Sequence, residues 1–440
     1  MPFGNHAAGL YNERRLFARP SRGPRGGLGS SLVAARAGEC GVAMIFRLAW
    51  RMLTTTRPRL LWKMAVNFGL GNMRAIRKFH RRIAAGRQFP PFLFLSITNE
   101  CNLRCQGCWV STDAPRSRMD IETIERIIRQ AGGQGVRFFG IMGGEPLLHP
   151  DMMAIFEKHP RCYFQLFTNG TMLTDDVAAR LAAAGNVTPL VSIEGSEAVS
   201  DRRRGGRDVL GRSIAGLTNC LRHGLVTGAA TSVCASNFDD SVSEKYLDRM
   251  IELGAHYVWY YGYRPSGPNP CPELALTAEQ MVDLRRFVVD MRCRKPIIIV
   301  DTYYDERGRA LCPAAAGMSY HVNPWGDIEP CPPIQFAAEN VSDSDDLVAQ
   351  IEGSTFLRDF RQFVTERTHG CVFLERPGEM GEFFKARGAK DVTGRSSGYS
   401  ELAGKCPLCS HHQSGLEIPE KHWAYRFAKK HWFFGFGAYG

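Results

Sequence analysis

Phe92-Leu-Phe-Leu-Ser-Ile-Thr-Asn99, followed at once by Cys101-Asn-Leu-Arg-Cys105-Gln-Gly-Cys108, decides how this chain reads. The first run is apolar, aromatic and partly β-branched, and Pro90-Pro91 lead into it, which predicts a buried strand. The cysteines therefore stand on the loop leaving a strand, where barrels and open α/β sheets keep their chemistry. Three thiolates separated by three and then two residues can hold three corners of a cubic iron–sulfur cluster. No fourth cysteine follows nearby, so one iron stays open to an outside ligand. Taken alone, the triplet also fits a zinc site or chance spacing.

Working outward, strands and helices alternate. Val136–Met142, Tyr163–Thr168, Pro189–Ile193, Leu225–Val233 and His256–Tyr261 read as strands two to six. Ile121–Gln130, Met153–Lys158, Val177–Ala182 and Thr277–Arg292 read as helices. Six repeats of about 30 residues imply parallel strands joined by right-handed crossovers. Active residues should follow the strand ends. Gly143-Gly144-Glu145-Pro146 directly follows the second strand. Its glycines permit close backbone approach, and its carbonyls and carboxylate can accept from an ammonium group. Thr168-Asn169-Gly170 ends the third strand, and Ser192 and Glu194 end the fourth.

C-x3-C-x2-C after a strand, with Gly-Gly-Glu-Pro after the next, resembles the radical S-adenosylmethionine (SAM) enzymes. The resemblance implies a partial (β/α)6 TIM-like barrel, a catalytic 4Fe–4S cluster on Cys101, Cys105 and Cys108, and SAM as cofactor. It assigns Gly143, Gly144, Glu145 and Pro146 to the SAM amino group. Family members often carry the Thr168-Asn169-Gly170 triplet, which makes Asn169 a cofactor-binding candidate, and Ser192 or Glu194 would reach the ribose hydroxyls. Asp201-Arg-Arg-Arg204-Gly205 resembles the family's D-x-x-R-G turn, whose arginine pairs with the SAM carboxylate; motif alignment selects Arg204. Val233 and Ser236 are candidates for adenine. The chain departs from the pattern at Gly107, where the family has an aromatic residue; here Trp109 follows the third cysteine instead. An electron donor such as flavodoxin or ferredoxin is implied.

Cysteines resume past the barrel. Cys312, Gly326-Asp-Ile-Glu-Pro-Cys331 and Cys406-Pro-Leu-Cys409 resemble the SPASM and twitch extensions of radical SAM enzymes. The resemblance implies a second, auxiliary 4Fe–4S cluster on Cys312, Cys331, Cys406 and Cys409. Tyr320–Gly326 would form the β-hairpin of that extension, with Asn-Pro-Trp-Gly as its turn. Cys371 either replaces one of the four or is a free core thiol. Cys406 and Cys409 with His411-His412 could instead bind zinc.

The composition is globular, with 44% hydrophobic and 22% charged residues. Fourteen cysteines clustered in a chain of this size argue for metal binding in a reducing cytoplasm. The net charge of +11 is unevenly placed: residues 1–90 hold seventeen Lys/Arg against Glu13 and Glu39, and the rest is slightly acidic. Nucleic-acid binding by the whole surface is therefore poorly supported. Residues 1–43 read as a disordered Arg/Gly/Ala-rich extension, unless translation starts at Met44. Residues 44–90 read as a basic amphipathic helical segment interrupted at Pro58, either packed on the barrel or lying on an anionic membrane face. Nothing reaches the ~20 apolar residues of a membrane span. The expected organisation is 91–300 barrel, 301–415 auxiliary-cluster domain and 416–440 basic aromatic tail. The function expected is reductive cleavage of SAM to modify a substrate, either a peptide or protein side chain or a lipid or small metabolite. Whether the reaction is that of an oxidoreductase or a transferase stays open. The competing class is a non-catalytic barrel that binds zinc or an iron–sulfur cluster.

Overall fold

The computed structural model describes residues 44–301 and 303–432. The expectations for residues 1–43, and for the last eight residues of the tail, lie outside them. Seven strands run parallel and in chain order: β1 Phe92–Ser96, β2 Phe138–Met142, β3 Tyr163–Thr168, β4 Val187–Ser192, β5 Gly228–Val233, β6 Tyr257–Gly262 and a short β7 Ile298–Val300. Every residue of β1 is buried, as befits a strand covered on both faces. The partial (β/α)6 barrel is thus present, with one more strand than the six repeats suggested. β7 is three residues long, too short to show a periodicity.

The far side of β1 is also occupied. β8 Ser319–Val322 pairs parallel to it, with Leu93 opposite Tyr320, and β9 Ile328–Glu329 returns antiparallel to β8. The expected hairpin exists, and it extends the barrel sheet. β10 Phe336–Ala337 and β11 Lys390–Asp391 form a separate small ribbon.

The chain begins with α1 over residues 44–55. α2 Pro58–Lys63 starts with proline at its first turn, where the missing N–H costs nothing. A π-helical stretch, Met64–Leu70, leads into α3 Gly71–Ala84. These helices pack across the N-terminal ends of the strands. Their cations meet the carbonyl ends of barrel helices, which carry partial negative charge. Arg51 donates to Ala255 O at 3.0 Å, Arg59 to Ala183 O at 2.9 Å, and Arg82 to Gln134 O at 2.7 Å. That packing uses much of the basic charge of this segment.

The barrel helices are α4 Ile121–Gly133, α5 Met152–Lys158, α6 Asp175–Ala184, α7 Glu197–Arg204, α8 Val209–Arg222, α9 Phe238–Ser241, α10 Glu244–Glu252 and α11 Ala278–Arg294. Local chemistry sets their ends. Asp120 caps α4 by accepting from Thr123 N–H at 2.7 Å, and Thr277 with Gln280 makes a capping box on α11. The C-terminal half adds α12 Leu347–Gly353, α13 Thr355–Arg367, α14 Val372–Glu375, α15 Pro377–Ala386, α16 Gly398–Ala403 and α17 Trp423–His431. α17 returns to the barrel edge: Ile299 N–H of β7 donates to the Tyr425 hydroxyl at 3.0 Å. Lys429 and Glu420 join Arg285, Arg292 and Asp301 in a buried ionic cluster beside it.

Candidate functional site

Two strand ends are locked together before any cofactor is considered. Gly144 N–H donates to Thr98 O and Glu145 N–H to Glu100 O, each at 2.8 Å. Gly143 sits at φ +135°, and a Cβ there would stand 2.2 Å from Thr98 O, so only glycine fits. The cysteine loop is closed from inside by Asn99. Its Nδ2 donates to Ser111 O and Pro115 O at 3.1 Å, and its Oδ1 accepts from Ser117 N–H at 2.8 Å.

These contacts leave a cavity of about 260 Å³ at the C-terminal ends of the strands. Cys101, Cys105, Cys108, Gly143, Gly144, Asn169, Ser192 and Arg204 all line it. Burial pushes the Cys101 thiol up to about 11 and Cys108 up to about 12. The thiols are therefore neutral unless something cationic takes them as ligands. Among the described residues no three ligating side chains are drawn to a single point; the three cysteines face a common space. That donor set, with glycine backbone on one wall and an arginine on another, fits a cluster carrying an amino-acid ligand.

Other expected residues are brought near but otherwise employed. The Glu145 carboxylate is buried and accepts from Asn169 N–H at 2.8 Å, Thr168 Oγ1 at 2.7 Å and Leu147 N–H at 3.2 Å. It ties β2 to β3, and burial raises it to about 7 despite those bonds. Gly143 and Gly144 line the cavity, and this side chain does not. Pro146 is buried behind it. Glu194 pairs with Arg204 and accepts from Ser232 N–H at 3.0 Å; this carboxylate holds the arginine. Arg204 also points Nη1 at Cys105 Sγ, 3.8 Å away. Burial pulls its pKa down, but Glu194 outweighs that and the charge is secured. Arg203 instead donates to Gln106 O and stacks 5.3 Å from the Tyr263 ring. Val233 is fully buried and Ser236 bonds Cys234; neither lines the cavity.

The structure also supplies what the motifs did not. Gly107, at φ +67°, lies under Tyr263: a Cβ there would stand 2.2 Å from the Tyr263 hydroxyl. An aromatic ring does meet the position before the third cysteine, but β6 brings it. Trp109 lines the cavity and meets His321 of β8 edge-on, with centroids 5.6 Å apart. His321 bridges Ser96 at 2.7 Å and Glu329 at 2.6 Å, which couples the hairpin to the end of β1.

In the C-terminal half, Cys312, Cys331 and Cys371 lie near one another around the Arg264 guanidinium; burial, helped by the neighbouring sulfurs, raises the Cys312 and Cys331 thiols. Cys406 and Cys409 are exposed. His411 is buried against the Tyr303 ring at 4.6 Å, and its Nε2 meets Leu311 O at 3.1 Å.

A parallel α/β barrel brings three thiols and a glycine-rich turn to one strand-end cavity, a set of groups that fits a metal cluster with a bound amino-acid group. Residues 95–241 match the family model of the radical SAM superfamily. The match covers about a third of the chain, which over those residues carries a radical SAM domain, and the fold is similar to that of proteins solved with bound S-adenosylmethionine. It is 28% identical over 281 residues to the mycofactocin maturase MftC of Mycolicibacterium smegmatis, covering 59% of this chain and 67% of that protein. It is 25% identical to the PqqA peptide cyclase of Streptomyces rochei, covering 55% and 69%. Among solved structures it is similar to Streptococcus suis SuiB bound to S-adenosylmethionine, with TM-score 0.55, 19% identity, and 65% and 72% covered.

Proposed function

We propose that the protein binds a 4Fe–4S cluster and SAM in the strand-end cavity and removes a hydrogen atom from an organic substrate. The observation that carries this is the convergence of three thiols, the Gly143–Gly144 backbone, Ser192 and Arg204 on one cavity. Cys101, Cys105 and Cys108 would hold three irons. The Gly143 and Gly144 carbonyls would accept from the SAM ammonium, Arg204 would take its carboxylate, and Asn169 and Ser192 would face the ribose. When bound and given one electron by a donor such as flavodoxin or ferredoxin, cluster and SAM supply a 5′-deoxyadenosyl radical. The chain's own part is to orient SAM, keep Arg204 charged through Glu194, and shield the cavity with Trp109 and the loop bearing Tyr263. A second 4Fe–4S cluster is placed in the C-terminal half, with Cys312 and Cys331 among its ligands.

Two substrate classes fit. Similar proteins named for peptide chemistry, and SuiB solved with its precursor peptide SuiA, favour a peptide or protein side chain. A separate observation favours a substrate met at a membrane. Phe46, Trp50 and Leu53 lie on one face of α1 and, with Trp62, are about two-thirds exposed. Arg74, Arg77 and Arg81 form an exposed basic row on α3, and residues 44–90 contain no acid. Among the described residues no helix is long and apolar enough to cross a membrane, so the contact would be peripheral. Flotation with anionic liposomes tests this: salt-sensitive binding reduced in Trp50→Ser/Trp62→Ser supports a membrane contact, and no flotation excludes it.

The enzymatic reading is tested anaerobically. The reconstituted protein should hold about eight irons, falling to about four in the Cys101/Cys105/Cys108→Ala variant. With SAM and dithionite, only the wild type should form 5′-deoxyadenosine. Zinc without iron, or iron without SAM cleavage, would leave a non-catalytic metal-binding barrel.

A further inference from the structure

We propose that the second cluster is held by Cys312, Cys331, Cys371 and Cys409, with Arg264 as its fixed counter-charge and Cys406 left unligated. This rests on the reading above that a second cluster exists. Arg264 stands just beyond β6, where the barrel meets the C-terminal half. Its Nε donates to Cys371 Sγ at 3.2 Å and its Nη1 to the Tyr303 hydroxyl at 2.9 Å. The guanidinium lies 4.8 Å from the Tyr303 ring centre.

An enclosed guanidinium needs an anion or a set of carbonyl dipoles. Arg204, Arg285 and Arg292 each have a carboxylate. Arg82 and Arg203 donate to backbone carbonyls. Among the described residues Arg264 has neither: its partners are a thiol and a phenol. Asp301, which lines the same small cavity, is engaged by Arg285, Arg292 and Lys429. The charge of Arg264 is balanced only if the surrounding sulfurs are thiolates. A cluster supplies that anion: four ligating thiolates give it net negative charge, and the waiting guanidinium offsets it.

The same surroundings choose the ligands. Cys371 opens α14 beside Cys312 and Cys331. The segment carrying Cys409 is fastened to that helix on both sides: Leu408 N–H donates to Leu374 O at 2.8 Å, and Ser410 Oγ bonds the Glu375 carboxylate. A Cβ on Gly370 would meet that same Ser410 hydroxyl at 2.1 Å, so the two segments are in close contact. Cys406 faces elsewhere, into an apolar cavity of about 270 Å³ shared with Phe373 and Leu402.

Iron counting on the full chain, with the catalytic cysteines intact, tests the ligand set. The expected result is that Cys371→Ser and Cys409→Ser lose about half of about eight irons, while Cys406→Ser keeps them all. Continued 5′-deoxyadenosine formation in each variant shows that the barrel has folded. A wild type with only about four irons overturns the second-cluster reading itself. A wild type with about eight, matched by Cys371→Ser, leaves that reading standing and overturns the ligand set. For Arg264, the midpoint potential of the second cluster is read by a spectroscopically monitored redox titration. It should fall in Arg264→Gln and hold in Arg264→Lys. An unchanged potential in Arg264→Gln overturns the counter-charge.

Discussion

The two groups of cysteines are built on opposite plans. Cys101, Cys105 and Cys108 come from a single eight-residue loop, closed by Asn99, and the arginine beside them already has its carboxylate in Glu194. Cys312, Cys331 and Cys371 come from three separate segments, and among the described residues their arginine has no carboxylate. The first site is short-range and electrostatically self-sufficient; it needs the fold only to be held at a strand end. The second exists only once distant segments have met, and its charge closes only with ligands ionised. Metal binding should therefore be linked to folding far more strongly at the second site than at the first.

The largest effect expected is on chemistry. Cys105→Ala should reduce 5′-deoxyadenosine formation to background while leaving the melting temperature nearly unchanged. A large drop in melting temperature would break the contrast, because the local site would then be supporting the fold. Next is Arg204→Gln, which leaves the buried Glu194 unpaired and should cost about 3 kcal/mol in denaturant unfolding. Glu194→Gln/Arg204→Gln should cost less than the single change, because the orphaned charge is gone.

Glu145 comes third and gives a pH signature. Its folded value of about 7 lies above its ordinary 4.5. The folded protein therefore holds a proton that the unfolded chain releases, and stability falls as pH rises between those values. The loss should approach about 3 kcal/mol above pH 7. The difference in stability between wild type and Glu145→Gln, followed from pH 5 to 8, isolates this group; a difference that does not change with pH would show that burial does not govern it. The smallest effect is Gly107→Ala, expected to cost about 2 kcal/mol from the positive φ and the Tyr263 ring above it. Tyr263→Leu in the same chain should recover part of that loss, sharpening the view that β6 closes the catalytic loop.

What could be read in advance follows the same division. The triplet, the Gly-Gly-Glu-Pro turn and the alternation of strands and helices are short-range patterns, and the structure places them where the barrel requires. Arg204 was selected among three arginines by its turn, and it alone of the three lines the cavity. The uses of Glu145 and Glu194 were hidden: a carboxylate beside a motif looks the same whether it faces ligand or ties two strands together. Cys371 was ambiguous because its neighbours Cys312 and Cys331 are tens of residues away. Arg264 carried no signal at all, since nothing in its local sequence marks a cation that lacks a carboxylate. The position of Tyr263 over Gly107 depends on strand order, which no local pattern encodes.

The seal that α17 places on β7 has a consequence in time. The strand's Ile299 N–H and the cations Arg285 and Arg292 are made well before Tyr425, Glu420 and Lys429 reach them. At ordinary rates of synthesis that interval is roughly 10 s. Through it, the nascent barrel has an open edge strand and a surplus of buried positive charge, the state in which sheet edges recruit other chains. Nascent chains arrested after residue 415 should bind chaperones that full-length chains have released; equal chaperone occupancy in both would show that the edge is protected some other way.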